Sequence, residues 1–129
     1  MSELIAYFTH LEGMGTYVPL EIRAREGALS SDADYQAFQD SAVMKKYEQE
    51  YFNIYFHFRN NPDSLITARD WDLVNILSDK KRLWYRVGAL MAQTIDEMRG
   101  RKYLTDLIAG PSINFIDSYL KLKSESNSY

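Results

Sequence analysis

The first 26 residues follow a helical pattern of apolar and polar positions. Ser2 is suited to begin a helix as its N-cap, and apolar residues then recur at spacings of three and four. Such spacing places them on one face, which we predict to pack in the core. Pro19 lacks a backbone donor, so we expect it to kink this helix or to start a new one. The predicted inward face consists of Leu4, Tyr7, Phe8, Leu11, Met14, Val18 and Ile22.

The rest of the chain continues in a helical period that short polar segments interrupt. Ser30, Ser31 and Asp32 form an N-cap cluster ahead of a long helix, and a change of phase within that helix predicts a break near Ser41. No alternation typical of strands is sustained. The expected helices after the first cover residues 32–59, 69–77, 79–99, 101–109 and 113–122.

This pattern predicts an all-α protein, an irregular bundle of five to six helices. A chain of 129 residues is long enough for one domain with its own core. We therefore predict a single helical domain over residues 1–122 and a polar C-terminal tail over 123–129. Ten tyrosines raise the aromatic content to 14%, which favours a half-buried groove or a subunit interface.

Charge and cysteine content exclude several classes of function. The net charge of −3 argues against non-specific nucleic-acid binding, which needs clustered cations. The chain has no cysteine, which excludes disulfides and thiol catalysis and is typical of a reducing compartment. We find no secretory signal and no apolar run of about 20 residues, the length that a membrane span requires. These features predict a soluble cytoplasmic protein that does not bind membranes.

Residues 8–18 bring together the groups with the most catalytic character. Within this apolar stretch His10 lies two positions before Glu12, and glycines follow at Gly13 and Gly15. Glycine weakens a helix by about 1 kcal/mol relative to alanine, so its use here suggests that a backbone or a ligand approaches closely. Two helical residues two positions apart point about 200° away from each other. His10 and Glu12 therefore cannot ligate one metal unless the helix unwinds, and we expect His10 to be weakly held or exposed.

The segment from Glu12 to Val18 resembles the Glu-Gly-x-Ala-x-Tyr segment of the gluzincin zinc metallopeptidases, with Gly15 in place of the alanine. A weaker similarity to the C-terminal helical half of such proteins covers residues 84–91, 100–101 and 110–111. The resemblance implies that Glu12 is a zinc ligand and that Tyr17 packs near the metal. It also implies that Tyr85 is a catalytic residue, the hydrogen-bond donor to the oxyanion.

One part of the gluzincin pattern is missing, because the chain contains no His-Glu-x-x-His. That motif supplies two zinc ligands and the general base. A catalytic zinc of this type needs three protein ligands. Zinc is therefore expected only if another chain completes the site, and otherwise we expect no cofactor.

Each candidate residue also has a structural interpretation. Glu12 is equally well explained as a partly buried glutamate paired with a lysine, an arginine or a helix end. His57 lies between two phenylalanines and favours a structural role. For Tyr85, a role as an interfacial tyrosine is favoured slightly over that of a hydrogen-bond donor to the oxyanion. Tyr17 is explained as a core residue.

Two functions follow from these observations. The chain is either the C-terminal part of a gluzincin-like metallopeptidase, inactive alone and acting with a missing N-terminal metal-binding half, or a stand-alone helical module. In the first case the face around Leu11, Met14 and Val18 would be exposed or used for dimerisation. In the second case the tyrosine-rich helix would line a groove for a ligand such as a peptide, or form a homo-oligomer contact, and Glu12 would be structural.

Overall fold

The computed structural model describes residues 1–27 and 32–126, and these residues form an all-α bundle, as the periodicity predicts. They contain seven α-helices rather than five to six, because the predicted break near Ser41 divides the second helix in two. The Asp40 side chain accepts hydrogen bonds from the Ala42 and Val43 amides and so caps the second of these pieces. The helices are α1 (Ser2–Arg25), α2 (Ala33–Gln39), α3 (Ser41–Arg59), α4 (Ala68–Asn75), α5 (Leu83–Arg99), α6 (Arg101–Asp106) and α7 (Ile113–Ser126).

Several predicted helix ends differ from the structure. α1 continues through Pro19, which excludes one of the two predicted alternatives, the start of a new helix. The buried residues Tyr17 and Leu20 keep both sides of the proline packed on the body of the protein. α7 extends four residues into the predicted tail, as far as Ser126. Of the predicted cap cluster, Asp32 does cap α2 through the Tyr35 amide, while Ser30 and Ser31 lie outside the described residues.

The connection between α4 and α5 also departs from the prediction. Residues 78–79 do not cap a helix, because they lie within a π-helical turn over Ile76–Lys80 that continues directly from α4. α5 begins instead after Arg82, whose φ of 52° lies in the left-handed region. That conformation costs a non-glycine residue on the order of 1 kcal/mol. Arg82 is held there by the Asp34 carboxylate, 2.9 Å from its guanidinium.

α5 lies at the centre of the bundle and packs against α1, α2, α3, α6 and α7. It has buried residues along its whole length, and the rings of Tyr51, Tyr55 and Phe115 pack around it without solvent exposure. The buried positions of α5 are Leu83, Val87, Gly88, Ala89, Met91, Ala92 and Ile95.

α1 and α5 meet backbone to backbone at two glycines. A Cβ on Gly13 would stand 2.6 Å from the Gly88 Cα, and a Cβ on Gly88 would stand 2.6 Å from the Thr9 carbonyl oxygen. Phe8 stacks on Trp84 before this point, with ring centres 4.9 Å apart, and the contact between Tyr17 and Asp96 follows it. The order of these contacts means that α1 and α5 run in the same direction and cross at the glycines.

This crossing turns α1 away from the predicted orientation. Leu4, Tyr7, Leu11 and Ile22 are 47–51% exposed, so the face predicted to pack inward points largely outward. The physical reason is that the backbone contact with α5 requires small residues at the crossing itself, while Ile5, Tyr17 and Leu20 pack on either side of it. The buried positions of α1 are Ile5, Ala6, Thr9, His10, Gly13, Tyr17 and Leu20.

Thr9 is the buried polar residue of this contact and connects α1 to α3. The Thr9 hydroxyl donates to the Ile5 carbonyl at 2.7 Å. The Tyr51 hydroxyl lies 2.7 Å from the Thr9 hydroxyl oxygen. Because the single hydroxyl hydrogen of Thr9 is already used, Tyr51 is the donor in the second bond. Burial raises the pKa of Tyr51, which therefore stays protonated as this donor.

We expect Gly88→Ala to lower the free energy of unfolding by about 2 kcal/mol, because the new methyl group would collide with backbone atoms that cannot rotate away. The matched control is Gly15→Ala. Within residues 1–27 and 32–126, no atom beyond the local helix backbone lies within 4 Å of the Cβ position at Gly15, so this change should raise the free energy of unfolding by up to about 1 kcal/mol. Urea denaturation of the three proteins provides the measurement. Equal effects of the two substitutions would contradict a tight crossing.

Candidate functional site

The outward side of α1 carries a row of apolar residues, which we call the outer face and define as Leu4, Tyr7, Leu11, Val18 and Ile22. Val18 is partly buried against the core, and the other four are about half-exposed. These residues span about 27 Å of helix at the standard rise per residue. The opposite side of α1 is buried against α5, so apolar residues lie on two sides of this helix. An apolar face of a helix normally packs against another element.

The outer face continues into a groove beside the start of α7. A cavity of about 180 Å³ lies between α1 and the turn after α6, with Leu11 and Met14 on one side and Ile108 on the other. Tyr7 lines this cavity and also a second one, which is bounded by Pro111 and Ile113. The apolar surface is therefore wider than the helix itself.

Glu12 lies at the edge of the outer face and is partly buried. Within residues 1–27 and 32–126 its carboxylate has no hydrogen bond and no ion pair. The pairing with a lysine, an arginine or a helix end that a structural role would require is therefore absent from the described part of the chain. The neighbouring Gly13 fixes the position of Glu12, because it is one of the two crossing glycines.

His10 is buried, and the expectation of a weakly held or exposed histidine is wrong. Its ring stacks on Phe115 with centres 4.4 Å apart, and its Nδ1 lies 3.3 Å from the Ser112 hydroxyl. Its Nε2 is buried without a hydrogen-bond partner among the described residues. Burial lowers the pKa of this imidazole, so His10 is neutral near pH 7.

Tyr85 is half-buried on α5, one turn before Gly88. The guanidinium of Arg82 lies 4.1 Å from the centre of its ring, which is a cation–π contact. Tyr85 and Glu12 are each within about one turn of the glycine crossing. No hydrogen bond joins the two side chains in the described part of the chain.

Tyr17 is a buried residue that belongs to a charged network. Its hydroxyl donates to Asp96 at 2.7 Å, and Arg101 binds both Asp96 and Glu21 at distances of 2.7 and 2.8 Å. Burial and the bond to Asp96 raise the pKa of Tyr17, while Arg101 holds the pKa of Asp96 below its ordinary value.

The residues that could bind a metal do not come together. Among residues 1–27 and 32–126, no three histidine or carboxylate side chains form a group that could hold a metal ion. His10 contacts Ser112 and Phe115, whereas His57 is an exposed side chain with its Nε2 3.0 Å from Asp70. Asp70 also closes the capping box of α4 with Thr67, which gives His57 a structural partner. The described helices also include none with the length and apolar character needed to cross a membrane.

Comparison with known proteins does not add a family to these observations. No family model, no curated protein and no solved structure matches the chain. The similarity to gluzincins remains an interpretation of the segment around Glu12.

Sequence reasoning missed the residues that organise this site. Gly13 was recognised as a point of close approach, but its partner Gly88 lies 75 positions away and the pattern of one chain does not pair them. Thr9 and His10 carry no signal of burial, because polar residues usually face solvent. The one available signal was that Ala6 and Gly13 lie on the same side of the helix as Thr9.

Protonation of His10 is expected to destabilise the protein. The folded pKa is lowered, so the unfolded chain binds a proton first, near the ordinary value of 6.5. The free energy of unfolding should therefore fall as the pH drops below about 6.5 and level off below the folded pKa, with no contribution above both values. Denaturation between about pH 7.5 and 5 should show a steeper fall for the wild type than for His10→Asn, which does not titrate. Parallel curves would contradict the buried neutral imidazole.

Proposed function

We propose that this chain is the C-terminal helical part of a gluzincin-like metallopeptidase assembly. In this proposal the outer face binds a second polypeptide segment that carries His-Glu-x-x-His, and Glu12 adds the third zinc ligand. The chain alone has no peptidase activity. The observation that carries the proposal is a helix that is apolar on both sides and has a carboxylate without a partner at the edge of its uncovered side.

The apolar surface supports a macromolecular partner rather than a small ligand. Leu4, Tyr7, Leu11 and Ile22 each expose about half of their surface, and they follow one another over five turns of α1. Large contiguous apolar patches on proteins in water mark interaction sites. A second helix lying along α1 would cover these residues and also fill the groove beside Ile108.

Glu12 supports a metal-related role for that partner. A partly buried carboxylate normally finds a donor, and Glu12 has none in residues 1–27 and 32–126. The crossing glycine beside it fixes the backbone of Glu12, so its side chain is presented from a rigid element rather than from a loop. Rigid presentation of this kind is what a metal ligand requires.

The described residues do not fit a zinc ion by themselves. They offer one carboxylate at this edge, whereas a catalytic zinc needs three protein ligands and an open position. We therefore assign no zinc-dependent step to this chain. Its own contribution in the proposal is to hold Glu12, to cover the partner and to place Tyr85 within a turn of the crossing as a donor. The absence of cysteine supports a reducing compartment, the cytoplasm, for the assembly.

Zinc content tests the proposal. The purified chain should hold no stoichiometric zinc and hydrolyse no peptide. Co-expression with a His-Glu-x-x-His polypeptide encoded directly upstream, in the same or an adjacent reading frame, should give about one zinc per complex by mass spectrometry of the metal. Glu12→Ala should lower that zinc content strongly while the complex still forms. Zinc retained in Glu12→Ala, or no such polypeptide, would overturn the role of Glu12.

A second copy of the chain is the alternative partner. The outer face carries no charged residue among its five members, so two copies of α1 could pack against each other without charge repulsion. In this alternative the protein is a stand-alone homodimeric module. Of the tyrosines in the predicted second helix, Tyr51 and Tyr55 are fully buried in the core and cannot form such a contact, whereas Tyr35 and Tyr47 are half-buried.

Leu11→Lys tests whether the outer face of α1 binds a partner at all or simply faces solvent. The substitution should change the free energy of unfolding by no more than about 0.5 kcal/mol, because Leu11 is 51% exposed. It should abolish binding of the His-Glu-x-x-His polypeptide. Leu65→Lys is the control, since it makes the same exchange at an 89% exposed site that is not part of the outer face.

The mass of the purified chain completes this test. Light scattering should report a monomer for the wild type if the partner is a second polypeptide. A wild-type dimer that Leu11→Lys converts to a monomer would favour the homodimeric module instead. Unchanged association in Leu11→Lys would remove the outer face from both explanations.

A further inference from the structure

A separate cleft lies near the C-terminal ends of α1 and α5. Its volume is about 430 Å³, and it is enclosed by the last two turns of α1, by α2 and by the second half of α5. Cavities of this size hold small ligands or single side chains of a peptide. The floor is formed by Tyr17 and Leu20, both buried.

α2 supplies two aromatic rings to this cleft without burying them. Tyr35 and Phe38 line the cleft and are only half-buried, and α2 has no fully buried residue. The helix is attached to α5 by charge instead. Asp34 binds the guanidinium groups of Arg82 and Arg86 at 2.9 and 2.8 Å, so α2 keeps its position while its rings remain available. Although burial opposes it, these two bonds hold the pKa of Asp34 below its ordinary value.

The charges around the cleft favour a cation. Among the described residues that line the cleft, Arg25 is the one arginine, and it is already bound to Glu21 at 2.6 Å. Glu97 lines the cleft, is exposed, and has no hydrogen bond or ion pair within the described ranges. Gln39 and Gln93 also line the cleft, and within residues 1–27 and 32–126 their side-chain amides have no hydrogen-bond partner. The groups left for a ligand are therefore one carboxylate, two amides and two ring faces.

We propose that this cleft binds an alkylammonium group, either on a small molecule or as the lysine side chain of a peptide. The ammonium contacts Glu97 and the faces of Tyr35 and Phe38, and its hydrocarbon part packs on Leu20. Carboxylate and aromatic faces together are the surroundings that desolvated organic cations prefer in proteins. The two amides are placed to bind neighbouring polar groups of the same ligand.

The test is a titration of the isotope-labelled full chain followed by its backbone amide resonances. Choline represents the small molecule, and its neutral counterpart is 3,3-dimethylbutan-1-ol, which has a carbon in place of the nitrogen. A blocked Gly-Gly-Lys-Gly-Gly peptide and its norleucine analogue represent the peptide. We expect saturable shifts at Tyr35, Phe38, Gln93 and Glu97, with a cation bound roughly tenfold more tightly than its neutral counterpart.

Two variants give the charge and the rings separate tests. Glu97→Gln should remove the preference for the cation without unfolding the protein, because Glu97 is exposed. Asp72→Asn on α4, which does not line the cleft, should keep it. Phe38→Leu should weaken binding of both the cation and its neutral counterpart in each pair.

Saturation by choline alone or by the lysine peptide alone identifies the source of the cation, and either result supports the proposal. Equal binding of cation and neutral counterpart, or no saturable shift at these residues, would overturn it.

Discussion

The contact between Gly13 and Gly88 is the constraint on which the other features of the molecule depend. Two helix backbones meet there with no room for a methyl group, so neither helix can rotate about its axis without a collision. On either side of it, Phe8 stacks on Trp84 and Tyr17 binds Asp96. The crossing therefore decides which side of α1 enters the core, and by the same step which side remains uncovered.

The uncovered side of α1 is unusual because it exposes large apolar residues although another side of the same helix is already buried against α5. Ordinary amphipathic helices place their large apolar residues inward and their charges outward. Around the crossing, α1 places the small or polar residues Ala6, Thr9 and Gly13 inward. Four large apolar residues of the same helix are about half-exposed: Leu4, Tyr7, Leu11 and Ile22. The high aromatic content has a simpler explanation, since Tyr51, Tyr55 and Phe115 fill the space around α5. The outer face thus needs an explanation beyond stability of the single chain.

The fold class could be read from the sequence because helical periodicity is a local property. The orientation of α1 could not, because the rule that large apolar residues face inward fails where two backbones touch. Gly13 was expected to mark close approach and does, whereas Gly15, two positions later, faces open space. The two glycines differ because Gly13 faces α5, whereas Gly15 is exposed to solvent. For the same reason Glu12 and Tyr85 were selected by resemblance, while their surroundings, including the Arg82 guanidinium over the Tyr85 ring, required the structure.

The separation of the two glycines along the chain has a consequence for synthesis on the ribosome. α1 is made first, but the surface that receives Gly13 is complete only after α5, which ends at Arg99, has left the exit tunnel. Contacts between distant parts of a sequence form late, and exposed apolar segments associate with other chains in the interval. During that interval both sides of α1 are in water, and even the finished domain covers only one of them. Translation of a partner nearby would shorten the exposure of the second side.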